Sequence, residues 1–498
     1  MGKSTKILSV LLAATMLSSS AFLFSCEKPS NEAEGATDNA VVASNYIIKT
    51  EIKDGCIWVT YSNAPDTPVN IGAMGVNGET SSETSLTYMP LPDGSYGVTA
   101  GNSRYLDTIV IPETFNGKPI TTIVENAFNG ATHLKNITIP SSVTSVGDNA
   151  FFNCGELQYN EHDNALYLGN QENPYLVLVK AKDATITRCA VSEKTVAICD
   201  NAFYGCTELT SISIPSSVKS IGSYTFQGCA SLGEANIPEG CTFIGTETFD
   251  GCASLSKITI PSTVTNIGMS AFSNCVSLKE VSFAKNSALT SIANAAFSGC
   301  KSLKSITVPK SVKLIGDNKA TINTNGVFNG CSSLETVTFE EGSVLEQIGN
   351  FAFASCSKLE GISLPASVKQ IGHSSFRASG LKSIELPASL TTVGDNTFYG
   401  CKSLKTVTFG NKLNRIGYQA FEACQSLNNV VIPESVKIIG QAAFNEGCTS
   451  LDSIEFKDVS GWYDVAKMEK IDPVKFSDPA TAAEMLKQAN TYSAGFCK

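Results

Sequence analysis

From about Leu106 to about Asp452 one pattern of apolar and polar positions returns at intervals near 23 residues, and the copy from Leu255 to Ser277 (LSKITIPSTVTNIGMSAFSNCVS) shows it whole. Ile258 and Ile260 alternate around Thr259, as in a short strand with one buried and one wet face, and Leu255 precedes them by a helix-like step of three. Pro261 removes a backbone donor and is expected to stop the strand. Val264 and Ile267 point inward again. Gly268 is expected at a turn with positive φ, and Ala271, Phe272 and Cys275 are expected to close the coil through a helical or 3₁₀ turn on the far side. One such coil cannot bury its own apolar surface. Stacked copies share a continuous core, so the pattern predicts a solenoid.

The positions align down the copies. Phe recurs at 128, 151, 203, 226, 249, 272, 297, 328, 353, 376, 398, 421 and 444, so that thirteen of the 25 Phe share one register. Gly repeats at 147, 222, 245, 268, 316, 349, 372, 394, 417 and 440, and Pro ends the strand in most copies. Each buried Phe is worth roughly 1.5–3 kcal/mol of gross burial, which makes the Phe column a structural spine rather than a ligand box.

Of 17 Cys, eleven (154, 206, 229, 252, 275, 300, 331, 356, 401, 424 and 448) follow the Phe at one repeat position. Cys241 stands in a Val slot and Cys189 in an Ile slot. All of these read as small buried hydrophobes with free thiols. Disulfides between neighbouring coils are the alternative, since strands about 4.8 Å apart fall within the span of a bridge. Zinc is not expected, because no C-x-x-C occurs.

The run Leu209 to Cys229 (LTSISIPSSVKSIGSYTFQGC) resembles the BspA-like, or Treponema-type, leucine-rich repeat. That resemblance implies a curved, strand-rich α/β leucine-rich-repeat solenoid of about thirteen coils on a bacterial surface protein, some members of the family acting as adhesins for host proteins. The repeats are scaffold and single out no ligand.

Outside the repeats, Lys3 and Lys6 precede the apolar run Ile7 to Leu17, and Leu23-Phe24-Ser25-Cys26 follows. A charged start and an apolar stretch too short to span a bilayer read as an export signal. It resembles a lipoprotein signal over 1–25, with Cys26 as the lipidated first residue; Phe24 departs from the usual small or aliphatic residue, and an ordinary secretory peptide is the alternative. Residues 26–44 lack periodicity and read as a tether. Their acidic residues resemble surface-export signals of lipoproteins in some anaerobic Gram-negative bacteria, which implies an outer-membrane, lipid-anchored protein exposed at the cell surface.

Residues 45–105 are expected to form an N-terminal β cap, starting with a hairpin over Tyr46 to Tyr61 that turns at Lys53-Asp54-Gly55; a small binding domain is the alternative. The repeats run over 106–452. Within them, 157–185 breaks the period with ALYLGNQENPYLVLVKA, read as a hairpin projecting from the stack. Residues 453–498 form a small C-terminal cap, with Asp478 as N-cap and Pro479 as first residue of a helix to about Ala489. Trp462 and Tyr463 read as cap packing before ligand platform.

Composition narrows function. With 42% hydrophobic and 16% charged residues the chain can bury a large core. A net charge of −10 and a pI near 5.1 argue against nucleic acid as partner. His133, His162 and His373 are too far apart along the stack to share a site, and no hydrolase, phosphate-loop, zincin or dinucleotide motif occurs. No enzyme activity, cofactor or metal is expected.

The remaining candidate is the exposed strand position between the two buried ones: Thr138, Ser213, Asn236, Thr259, Ser282, Thr307, Thr338, Ser363, Glu385 and Thr408. This hydroxyl-rich row, taken as the concave sheet, offers hydrogen bonds over a long area but lacks the Trp, Tyr and Arg anchors of a tight interface. Loops Ala284 to Ala288, Asp317 to Gly326 and Glu340 to Val344 are further places for specificity. The expected partner is an extracellular or host protein bound by a monomer, with glycan as the alternative; an aromatic pair for stacking sugars is not evident, since Trp58 and Trp462 fall in opposite caps.

Overall fold

The computed structural model describes residues 47–53, 56–61, 64–73, 86–318, 326–445, 447–465, 467, 469–488 and 495–498. Two compact units divide it, Met1–Gly75 and Val76–Lys498, so the stretch expected to form one β cap belongs to both. The first unit holds a three-stranded antiparallel sheet of Ile47–Lys53, Cys56–Tyr61 and Ala64–Ala73 in sequence order. The hairpin register pairs Lys53 with Cys56. The third strand went unread in the sequence because Pro65 and Pro68 resemble loop punctuation; it lies at the sheet's edge, where a missing donor is tolerated.

The second unit is a strand-rich solenoid of about fifteen turns. The Phe register counts thirteen, because the inserted segment and the segment from Ser453 to Asp464 complete turns without adding a Phe to the column. Each regular coil contributes two strands. Lys257–Ile260 pairs in parallel with Glu280–Phe283 of the next coil, and Asn266–Ile267 pairs in parallel with Ser291–Ile292. From Phe243–Ile244 onward, nine strands of the second kind and three antiparallel strands of the C-terminal segment build a continuous twelve-stranded sheet.

Between the strand rows lies the core. The rings of Phe203 to Phe444 form an unbroken stack, with Phe128 and Phe151 as a separate pair; neighbouring centroids are 5.1–5.7 Å apart and planes within 2–19°. Such offset stacks add about 0.5–1.5 kcal/mol per pair to burial.

The far side of the coil is not a helix. Ala271, Ser273 and Cys275 donate to the carbonyls three residues back, while Ser270, Phe272 and Asn274 donate to Asn294, Ala296 and Ser298 of the next coil at 2.7–3.0 Å. A helix would keep every N–H for its own segment. Here Ser270 and Asn274 sit at φ 55° and 56°, which turns alternate donors outward to the neighbour. The conformational cost of about 1–2 kcal/mol per such residue is offset by the ladder they make possible.

The Gly column has a different cause from the one expected. Nine of its ten members, Gly268 among them, do not have positive φ; only Gly316 does, at 73°. A Cβ at those nine would stand 2.3–3.0 Å from backbone atoms of the preceding coil. Glycine is required because two backbones touch there, and the column therefore sets how closely coils stack.

The inserted hairpin forms but does not project. Ala165–Leu168 pairs antiparallel with Val177–Ala181, and Val177 and Leu178 then pair in parallel with Ala197 and Ile198 of the resumed repeat. Tyr167, Val177 and Leu178 are fully buried. The alternation read as a free hairpin supplies an irregular coil, because its apolar face is needed to continue the core.

At the N-terminal end of this unit, Thr87–Pro90 runs antiparallel to Tyr96–Thr99, which pairs in parallel with Lys118–Ile123 of the first coil. At the other end, Phe496–Cys497 lies antiparallel to Ile438–Ile439, and Tyr463–Asp464 pairs beyond it. Trp462 is buried against Phe456 and Phe476, and its indole N–H donates to the Asp458 carbonyl at 3.0 Å. The helix Pro479–Gln488 starts as expected, with the Asp478 carboxylate accepting from Thr481 N at 2.9 Å.

Candidate binding surface

Chemistry that needs a reactive thiol or a metal finds little support. Ten column cysteines donate their S–H to the carbonyl of the Phe one coil earlier, at 3.0–3.2 Å. Cys206 follows the inserted coil and points instead toward the Asp183 carbonyl at 3.9 Å. The column cysteines are free and buried. Burial pushes the thiols of Cys206, Cys401 and Cys448 up to about 11 and that of Cys229 up to about 12, which suppresses the nucleophilic thiolate. Among the described residues no group of three or more His, Cys, Asp or Glu is placed to hold a metal ion.

The hydroxyl row lies where the alternation puts it. Ser213, Asn236, Thr259, Thr307, Thr338, Ser363, Glu385 and Thr408 are exposed, while Thr138 and Ser282 are half-buried. Thr138 is covered because the inserted segment bridges to it at Gly169. Several members bond to one another: Thr259 Oγ1 to Ser282 Oγ at 3.0 Å, and Thr307 Oγ1 to Thr338 Oγ1 at 2.9 Å. Asn236 both donates to and accepts from the Ile214 backbone, at 2.7 and 3.2 Å, standing in for a strand pairing. Exposed pairs such as Lys382 with Glu360 and Lys257 with Glu234 flank the row, each worth at most about 1 kcal/mol.

This first-strand face is not one continuous sheet. It divides into separate ladders, among them Ser305–Val308 with Thr336–Phe339, and Ser383–Glu385 with the three strands that follow. The segment around Ser363, residues 361–365, belongs to neither. Before it, the loop Glu340 to Val344 lengthens the coil, and the Ser367 hydroxyl reaches the Ser343 carbonyl at 3.2 Å. The result is a groove of about 450 Å³ bordered by Thr338, Phe339, Glu340, Ser343, Ser363 and Leu364. Of the ten row residues, Thr338 and Ser363 are brought together at this groove. The others are spread along the stack. The longer loop was visible in the sequence; that it would open the ladder depends on how its neighbours pair.

His133, His162 and His373 do not converge: His162 lies against Tyr175 and His373 lies 3.7 Å from Asp395. Cys26 and the tether lie outside the described residues.

With the repeat geometry established, similarity to known proteins can be placed. The model of the BspA type leucine rich repeat region matches residues 101–171, 196–320 and 317–428, with six copies. The chain belongs to the BspA-type leucine-rich repeat family. No curated protein is detectably similar to it. Among solved structures, a leucine-rich repeat protein from Bacteroides ovatus shares 28% identity over 76% of this chain and 88% of its own, with a TM-score of 0.40. A leucine rich cell surface protein from Faecalibacterium prausnitzii shares 25% over 77% and 96%, at 0.35. The pneumococcal vaccine antigen PcpA shares 21% over 82% of each chain, also at 0.35.

Proposed function

We propose that this chain is a lipid-anchored bacterial surface protein that uses its solenoid as a scaffold to bind an extracellular or host protein. The observation that carries the reading is the groove between Thr338 and Ser363, where the ladder of the first-strand face is interrupted and an array of exposed hydroxyls meets the apolar side chains of Phe339 and Leu364. An extended segment of a partner can lie in such a break, its main chain hydrogen-bonded to strand edges and its side chains on the apolar floor. Membership of the family supports a repeat scaffold rather than a catalyst. Anchoring rests on the lipoprotein-like signal ending at Cys26, and placement at the outer membrane on the acidic residues after it.

Two experiments test this reading. Cells expressing Cys26→Ser are expected to release the protein from the membrane fraction and to lose fatty-acid labelling; a mutant that still carries acyl chains defeats the anchor. The full chain, screened against extracellular-matrix proteins and glycans, is expected to capture a protein, and Thr338→Arg with Ser363→Arg is expected to abolish capture without changing the urea midpoint. Capture of glycans alone would replace this reading with a carbohydrate-binding one.

A further inference from the structure

The phenylalanine stack is broken at one place. Phe128 stacks on Phe151, and the stack begins again with Phe203 on Phe226. In a regular coil the Phe N–H donates to the residue before the next Phe, as Phe128 does to Ala150. At the break, Ala181 donates to Ala202 in that manner, so the inserted coil places a methyl group where every regular coil places a ring.

A second, independent departure marks the same seam. Cys199 stands in the Gly column, between Ile198 and Asp200, where other members have no room for a Cβ. Its side chain borders open space at the seam. A cavity of about 270 Å³ occupies the seam, lined by Phe151, Tyr159, Val179, Lys180, Cys199 and Asp200 among others.

The polar groups at this cavity are uneven. Asp200 accepts from the Asn149 backbone N–H and from the Asn201 side chain, the latter at 2.7 Å; burial still raises its carboxyl, with Asp148 adding to the effect. No Lys or Arg forms an ion pair with it among the described residues. A cation brought to it would offset the desolvation of the carboxylate and its repulsion by Asp148. Lys180 extends over the Tyr159 ring at 5.0 Å, on the same cavity wall.

We propose that this cavity binds an aromatic residue bearing a free α-ammonium group, its ring packing against the Phe151 and Tyr159 rings that line the cavity and its ammonium meeting the Asp200 carboxylate. Such a residue can come as a free amino acid or as the first residue of a peptide. Only the free amino acid also offers a carboxylate to Lys180. The site lies at the inserted coil, apart from the groove at Ser363, so its failure leaves the surface-binding reading untouched.

Calorimetry on the full chain with phenylalanine, phenylalaninamide and 3-phenylpropanoate tests the proposal. Phenylalanine or the amide is expected to bind with a dissociation constant on the order of 1 mM or tighter, and at least about tenfold more tightly than 3-phenylpropanoate, which keeps the ring and lacks the ammonium. A preference for phenylalanine over the amide assigns the free amino acid; equal or better binding of the amide assigns a peptide N-terminus. Asp200→Asn is expected to remove the preference for the ammonium. Absence of binding by all three ligands to the wild-type chain overturns the proposal, as does equal binding of 3-phenylpropanoate. Those two results need no variant to fold.

Discussion

The thiol of Cys252 donates a hydrogen bond to the main-chain carbonyl oxygen of Phe226, one coil earlier, at 3.2 Å. The same carbonyl accepts the Cys229 N–H at 3.1 Å, so Cys252, like the nine other column thiols bonded in this way, supplies the second partner of an otherwise half-satisfied buried acceptor. Cys252→Ala removes that partner and leaves a small void, and is expected to cost about 1–2 kcal/mol. Cys252→Ser keeps a donor and is expected to cost less. Urea midpoints of the two variants check the order; a less stable Ser variant contradicts it.

Phe272 is fully buried between Phe249 and Phe297. Phe272→Ala removes both ring contacts and leaves a void within the stack, with an expected loss of about 3–5 kcal/mol. A wild-type urea midpoint would show that the ring does not carry the load assigned to it.

Gly268→Ala places a methyl group 2.7 Å from the Gly245 carbonyl carbon. Relief requires the two coils to separate, and a destabilisation of at least about 2 kcal/mol is expected. Gly155, around which an added Cβ meets nothing within 4 Å, is the control: Gly155→Ala is expected within about 0.5 kcal/mol of wild type. Equal effects at both positions would remove the close-approach explanation.

Stability is expected to fall steeply in alkali. Unfolded thiols ionise near pH 8.5, whereas burial holds Cys206 and Cys401 up to about 11, and Cys189 and Cys229 up to about 12. Above the unfolded value the unfolded chain binds fewer protons than the folded one, so stability declines with rising pH. The contribution is complete below about pH 8.5 and is lost as pH climbs toward the folded values. Each such thiol contributes a slope of about 1.4 kcal/mol per pH unit within that window. Urea midpoints under reductant, compared at neutral pH and near pH 10, read the effect; a flat profile would mean the thiols are not both free and buried.

Thiol counting provides a separate check. The native chain is expected to titrate slowly with Ellman's reagent, and denaturation without reductant to expose roughly the whole column at once. Pairing of column cysteines in mass spectra would mean that export to an oxidising compartment had converted the hydrogen-bonded ladder into disulfides.

Much of this architecture is legible in the chain because stacking makes neighbours equivalent: Phe272 and Phe297 face the same surroundings, so one register describes both. What a single register cannot convey is how adjacent coils touch. Gly268 reads as a turn residue until the backbone of Gly245 is seen against it. Cys275 reads as a small apolar filler, although its S–H is committed to the Phe249 carbonyl. The alternation around Tyr167 announces strands but not whether they stand free or join the stack. The exposed row from Thr138 to Thr408 is visible as a pattern; the gathering of Thr338 and Ser363 at one groove depends on a local change in coil length and strand pairing.

The reversed strand at Phe496–Cys497 has a consequence for assembly. A column of parallel coils is a polymer whose last unit looks like every other, and an uncovered end offers the next chain the same donors and acceptors that joined the previous coil. With an antiparallel strand laid across Ile438–Ile439, followed by Tyr463–Asp464 and Glu469–Lys470, the second-strand sheet closes in a register that a parallel coil does not match. It works as a chain terminator. Loss of the last few residues would therefore be felt first as filament growth at high concentration, before any loss of the fold.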